Sequence, residues 1–140
     1  MEKQVNIASF LDSTYLKTAD EAGISEQETK ETVINSIQEA IQLKFACIMI
    51  RPEFVAMVKE MIESNKSKLK VGTVIDFPFG NQATAIKVSE AKSAIENGAY
   101  DIDYVCDYNA FKRGSFEKFD NDIVEGTKFA LGHKKIVKWI

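Results

Sequence analysis

Apolar residues along this chain fall into short continuous or alternating runs, separated by longer stretches of helical period. Phe45 to Ile50, FACIMI, is an unbroken apolar run of strand length, the pattern of a strand covered on both faces in a parallel sheet. Val71 to Phe77, VGTVIDF, reads as the next strand, closed by a turn containing Pro78 and Gly80. Asp101 to Val105 alternates acidic and apolar residues with a period of two, so Asp101 and Asp103 share one face while Ile102 and Tyr104 share the other. Ile136 to Ile140, IVKWI, is a fourth strand by composition.

The intervening stretches carry helix signals. Ser25 and Glu28 form a capping box that opens a helix with Val33, Ile34, Ile37 and Ile41 on one stripe, ending near Lys44. Pro52 suits the first position of a second helix, which buries Phe54, Val58, Met61 and Ile62 before the polar connection Asn65 to Lys68. A third carries Ile86, Val88, Ala91 and Ile95 and is released by Gly98 as a left-handed cap. A fourth follows the turn at residues 112–115, with Ser115 as its cap, Phe119, Ile123 and Leu131 inward, and Gly132 as its stop. Ahead of the strands, Ile7 to Leu11 suits a short helical turn, and Asp12, Ser13 and Thr14 read as a capping and turn group.

The strand starts lie roughly 25 to 35 residues apart, the rhythm of right-handed strand-helix-strand units around a parallel sheet. A doubly wound sheet and an eight-fold strand-helix barrel share that rhythm, and the barrel needs at least about 200 residues. The 140 residues here make one domain. The expectation is therefore an α/β fold, the first half of a TIM-type (β/α)8 barrel. About four parallel strands alternate with helices, N-terminal helices precede them, and the single partial domain over residues 1–140 is cut at the fourth strand. An apolar strand that runs to the terminus without a following turn supports the cut.

Composition narrows the function classes. With 45% hydrophobic and 28% charged residues the chain is of soluble globular type, and no apolar run approaches the roughly 20 residues of a membrane span. A net charge of -3, with lysines scattered among acids, leaves no basic footprint for nucleic acid. The N-terminal MEKQVNIASF lacks the basic-then-apolar order of a secretory leader, and Cys47 and Cys106 form no CxxC or metal-ligand spacing. A cytoplasmic protein with reduced thiols and no metal is the expectation. His133 stands with Lys128, Lys134 and Lys135 near the exit of the last helix, where positive charge meets the negative end of the dipole, and this structural role suffices for it.

The charges inside the strands favour the barrel. Lys138 alternates with Val137 and Trp139 as Asp103 does with Ile102 and Tyr104, so apolar side chains face the helices while an acid and an amine line the lumen at one level. Such a pair is either a structural ion pair or part of carbonyl chemistry. A Schiff base needs an amine neutral enough to attack and an acid to move protons as water is lost. On spacing alone Asp103 is the proton carrier and Lys138 the nominee for the nucleophile.

The segments FLDSTYLK, IMIRPEFV, TVIDFPFGN, EAKSAIENGAYDIDYV and IVKWI, in that order and spacing, resemble the N-terminal half of the deoxyribose-phosphate aldolase family. The resemblance implies a cytoplasmic class I aldolase of deoxyribonucleotide catabolism. Such an enzyme reversibly splits 2-deoxyribose 5-phosphate into acetaldehyde and glyceraldehyde 3-phosphate through a Schiff base, with no metal or other cofactor. Asp103 falls on the family's catalytic aspartate. Lys138 falls on the lysine of the fourth barrel strand, a neighbour of the reactive amine rather than the amine itself, which overrules the nomination from spacing. Asp12 falls on the acid of a DxTxLK-like segment near the substrate pocket, and Thr14, Leu16 and Lys17 keep that pattern.

Two departures bear on the substrate side of the site. Met49 stands where many members have cysteine, with Cys47 two positions earlier and its side chain on the same side. Asp76 stands where glycine or asparagine is common, adding negative charge at the strand end where barrel sites open. The family's Schiff-base lysine on the fifth strand, its partner on the sixth and its glycine-rich phosphate loops would lie beyond Ile140. Two other functions stay open. A half-barrel has unpaired edges and apolar faces that favour self-association, as an assembly or interaction module. A small doubly wound binding domain is the third reading, and the chain has no glycine-rich phosphate fingerprint for it.

Overall fold

The computed structural model describes residues 5–140. The first four residues, part of the N-terminal segment read above for a leader, lie outside the described residues. Five strands form one sheet: β1 (Asp12–Tyr15), β2 (Cys47–Ile50), β3 (Lys70–Ile75), β4 (Asp101–Tyr104) and β5 (Ile136–Trp139). They lie in sequential order, every neighbouring pair parallel. A doubly wound sheet reverses its strand order partway and so carries helices on both faces. Here the order never reverses, each right-handed crossover returns on the same side, and the result is an arc of barrel wall.

The crossovers are α2 (Glu26–Leu43), α3 (Val55–Ser64), α4 (Thr84–Glu96) and α6 (Phe116–Gly132), with the short helices α1 (Ala19–Ala22) and α5 (Tyr108–Lys112) in the connections. Their apolar stripes cover the outer face: Val33 and Ile37 of α2, Val58 and Ile62 of α3 and Ala91 of α4 join one core with Ile48, Ile50, Ile75, Ile102 and Tyr104. The Ser25–Glu28 capping box closes reciprocally, and Thr18 with Glu21 forms another at α1. On α6, Gly126 lets the helix approach the sheet. An added Cβ would come within 2.8 Å of the Trp139 ring and 3.2 Å of the Tyr104 ring, which stack on each other with centroids 4.7 Å apart. No helix among the described residues is long and apolar enough to cross a membrane.

Several local expectations need correction. Asp12, Ser13 and Thr14 are not a turn but lie in β1, paired with β2 from Asp12 opposite Cys47 to Tyr15 opposite Ile50. The sheet thus has one strand more than the apolar runs suggest, and Ile136–Trp139 is its fifth strand rather than its fourth. A four-residue strand rich in hydroxyls at a sheet edge carries little apolar signal. Strand β2 starts only at Cys47, because Lys44 adopts the left-handed conformation and Phe45 still bonds back to Ala40 of α2. Strand β3 stops at Ile75, since Asp76 has φ 55° and turns the chain. Pro52 opens a 3-10 turn, Pro52–Phe54, that feeds α3. Ile86 and Leu131 face solvent, and the buried positions of α4 and α6 include Lys87 and Asp122.

Candidate active site

Lateral pairing aligns the inner-face residues in levels. Asp12, Cys47 and Lys70 form the first, Thr14, Met49, Gly72, Asp101 and Ile136 the second, and Val74, Asp103 and Lys138 the third. Their neighbours in sequence, such as Ile48, Val71, Ile102 and Val137, pack into the helix-covered core. Asp101, Asp103 and Lys138 thus project away from the helices because the side-chain period is two and the alternate positions are apolar.

The ammonium of Lys138 is the centre of the cluster. It donates a 2.8 Å hydrogen bond to Asp12 and lies 3.3 Å from Asp103 Oδ1 and 3.6 Å from Asp101 Oδ2. Burial acts to lower the Lys138 pKa, but the hydrogen bond to Asp12 and the charges of Asp103 and Asp12 outweigh it and hold the group above the ordinary lysine range. For Asp103 and Asp101 burial is the largest influence and raises both pKa values, with Lys138 opposing it. Among the described residues the buried Asp103 Oδ1 has no partner in hydrogen-bonding geometry, its 3.3 Å ionic contact with Lys138 lying outside hydrogen-bonding angles. A buried acid with a raised pKa, held beside a fixed cation, is suited to taking up and returning a proton.

Of the residues singled out from sequence, Asp103, Lys138 and Asp12 come together. Met49 lies on the same face, buried with Cys47 and Val74 and flanked by Leu16 and Phe77, and it brings only apolar surface. Asp76 does not join them. Its carboxylate folds back to accept from the Gln82 backbone N–H at 2.8 Å and lies 3.6 Å from Lys87, in a separate cluster behind the sheet end. Asp101 is the lumen carboxylate that the site assignment left out, although its parity with Asp103 marked it.

Asp12, Cys47 and Asp101 place ligand-type atoms within 4.8 Å of one another. The Lys138 ammonium already supplies the positive charge that these carboxylates face. Burial first, then the Asp101 charge, also pushes the Cys47 thiol well up.

No family model matches the chain. A deoxyribose-phosphate aldolase of Thermococcus gammatolerans is 37% identical over 134 residues, covering 96% of this chain and 55% of its own length. One from Bacillus mycoides is 38% identical over 136 residues, covering 97% and 56%. The chain spans about half the length of the curated relatives it matches. Among solved structures, the deoxyribose phosphate aldolase of Aeropyrum pernix, described as a tetramer, superposes with TM-score 0.75 at 27% identity, covering 95% of this chain and 51% of that one. An aldolase designated QR15 gives TM-score 0.76 at 26% identity, covering 97% and 55%.

Proposed function

Because the chain belongs to the deoxyribose-phosphate aldolase family and corresponds to about the N-terminal half of its members, we propose that it supplies the proton-transfer side of a class I aldolase site. The substrate of that site is 2-deoxyribose 5-phosphate, cleaved to glyceraldehyde 3-phosphate and acetaldehyde in cytoplasmic deoxyribonucleotide catabolism. Its domain is one wall of the barrel, residues 1–140. The observation that carries the reading is the placement of Asp103 Oδ1, buried and in ionic contact at 3.3 Å with a protonated lysine on the inner face.

The chemistry divides as follows. A neutral amine adds to the substrate carbonyl, and the adduct loses water to give the Schiff base. The C2–C3 bond breaks as the C3 hydroxyl gives up its proton and glyceraldehyde 3-phosphate leaves, and the remaining enamine is protonated on carbon and hydrolysed to acetaldehyde and the free amine. Asp103 is the carrier of these protons, with Lys138 beside it as the fixed cation that keeps them moving along one path. Asp12 orients Lys138 and, with Met49, borders the substrate side, while Asp76 shapes the loop above it. Lys138 is not the nucleophile, because an ammonium among three carboxylates is not free to attack.

Two measurements test the reading. Replacing the N-terminal half of the Thermococcus gammatolerans aldolase with this chain should give a cleaving chimera, in which Asp103→Asn lowers turnover by about 100-fold or more without changing the melting profile. Near-normal turnover in that variant removes Asp103 from the mechanism. Borohydride reduction of the 140-residue chain with acetaldehyde should leave Lys138 unmodified. A robust adduct that disappears in Lys138→Ala makes it the nucleophile instead.

One observation favours a second reading, an assembly module. Among the described residues, strands β1 and β5 are each unpaired on one side, and Ile136 of β5 is half exposed. Open edges and exposed apolar residues favour self-association. Light scattering distinguishes the readings, since a clean monomer with a cooperative melt counts against assembly.

A further inference from the structure

A second charged cluster lies behind the sheet end, between α4, α6 and the loops that follow β3 and β4. Lys87 of α4 is 1% exposed, and its Nζ donates to the carbonyls of Gly80 at 2.8 Å and Val105 at 2.9 Å and to Asp122 Oδ2 at 2.8 Å. Those three bonds use every donor an ammonium has. Asp122 of α6 also accepts from Thr84 Oγ1 and, at 3.2 Å, from Lys118, which reaches Asp107 at 2.9 Å. An apolar pair of similar volume would avoid the desolvation of two buried charges, so stability alone gives no reason for a lysine here. What the ammonium adds is direction, because two of its bonds hold backbone carbonyls from different loops.

Those carbonyls matter for where they lie. Gly80 belongs to the loop of residues 76–83, which is closed at one end by the Gly80 N–H donating to the Asp76 carbonyl at 2.8 Å and at the other by Gln82 donating to the Asp76 carboxylate at 2.8 Å. The loop presses on the chain after β4 so closely that a Cβ at Gly80, where φ is +64°, would collide with the Cys106 carbonyl. Val105 is the second residue after Asp103, and its own N–H donates to Ile75 at the end of β3. Lys87 therefore fastens the end of β4 to the loop above β3.

We propose that Lys87 is a positioning residue, a buried tie that fixes the 76–83 loop to the end of β4 and so sets the depth at which Asp103 stands beside Lys138. Its functional weight rests on the reading of Asp103 as the proton carrier, and the test does not. Hydrogen exchange and carboxyl 13C titration by NMR are followed in the chain, in Lys87→Gln and in the double variant Lys87→Met with Asp122→Leu. The double variant removes both members of the Lys87–Asp122 pair and leaves the buried Asp76 carboxylate, 3.6 Å from Lys87, held by the Gln82 N–H, and in the glutamine variant an amide can replace two of the three bonds.

In the double variant the amides of β2 and β3 keep their exchange rates while those of Gly80 and Gln82 exchange at least about tenfold faster. The Asp103 midpoint falls toward the ordinary carboxylate value as water reaches the end of β4. Lys87→Gln moves both readouts the same way by less, and it carries the test if the double variant does not fold. Unchanged Gly80 and Gln82 exchange together with an unchanged Asp103 midpoint, in whichever variant folds, overturns the proposal. An Asp103→Asn chimera that still turns over would leave these readouts as expected, and unchanged readouts would leave the catalytic reading of Asp103 standing.

Discussion

Replacing Lys138 with methionine strips the one ammonium from three carboxylates, and its cost depends on pH in a way the geometry fixes. An exposed ion pair is worth about 0.2 to 1 kcal/mol, whereas removing one partner of a buried pair costs about 3 to 5 kcal/mol. Lys138 and Asp12 have side chains 36% and 33% exposed, while those of Asp101 and Asp103 are 8% and 11% exposed. Solvent screening on the lysine side discounts the buried figure, which leaves about 2 kcal/mol at pH 7. The raised pKa of Lys138 places its contribution at full strength below the unfolded lysine value and removes it only as pH rises through the folded one, so alkaline titration plays no part near neutrality. In acid the partners change instead. Asp101 and Asp103 have raised pKa values, so they take up protons at a higher pH than ordinary aspartates, and without Lys138 they do so higher still. The penalty should shrink from pH 7 to pH 4, because acids that have taken up protons no longer need the cation. Urea unfolding of the chain and Lys138→Met at both pH values, with equal m-values required, measures it. A deficit of the same size at pH 4 and pH 7, or one under about 0.5 kcal/mol at pH 7, would refute the ion cluster.

Three further outcomes concern the sheet, two on its helix-covered face and one, at Gly72, on its inner face. Tyr104 is fully buried with a hydroxyl that has no partner among the described residues, and burial raises its pKa to about 12. Tyr104→Phe should be neutral or stabilising by up to about 1 kcal/mol in urea melts, and a loss of more than that would mean the hydroxyl is satisfied. Gly126→Ala should cost about 1 to 3 kcal/mol, since the new methyl meets two stacked rings. Gly72→Ala should cost less, because the nearest atoms are the flexible ends of Met49 and Cys47. The reverse order would place α6 farther from the sheet than described.

The parts of this fold legible from sequence are those in which local pattern and tertiary burial agree. Alternation along Asp101 to Val105 and Ile136 to Ile140 put Asp103 and Lys138 on one face, and the register pairs them directly. The Ser25 box was legible because its chemistry is complete within four residues. Strand β1 was not, since its evidence is the backbone of β2 alongside it, and a polar edge strand looks like a turn. By spacing alone Asp12 reads as a cap for the same reason, its partner Lys138 lying 126 residues away, while the family resemblance puts it near the substrate pocket. Lys87 offered a signal that periodicity discounts, a lysine four residues before Ala91 on the inward stripe of α4. Asp76 shows the converse limit: its position at a strand end was legible, but its φ of 55° turns the carboxylate into its own loop.

The same cluster bears on where the nucleophile of the proposed site must stand. An amine becomes reactive when desolvation or neighbouring cations favour its neutral form, and anions oppose this. Lys138 has three carboxylates within 3.6 Å, which is the wrong surrounding for attack and the right one for a stable positive charge. A second amine brought up to Lys138 from the side away from Asp12, Asp101 and Asp103 would meet that charge first. Its own protonated form would be disfavoured, while Asp103 stayed within reach to serve the proton transfers. In the proposed site the acids would gain a nucleophile indirectly, by holding one lysine charged so that another is not. Lys138→Met in the chimera should therefore raise the pKa of the amine trapped by borohydride and slow adduct formation near neutral pH, with the gap closing as pH rises above that pKa. Trapping rates that stay equal to those of the unsubstituted chimera across the pH range would show that the charge of Lys138 does not reach the reacting amine.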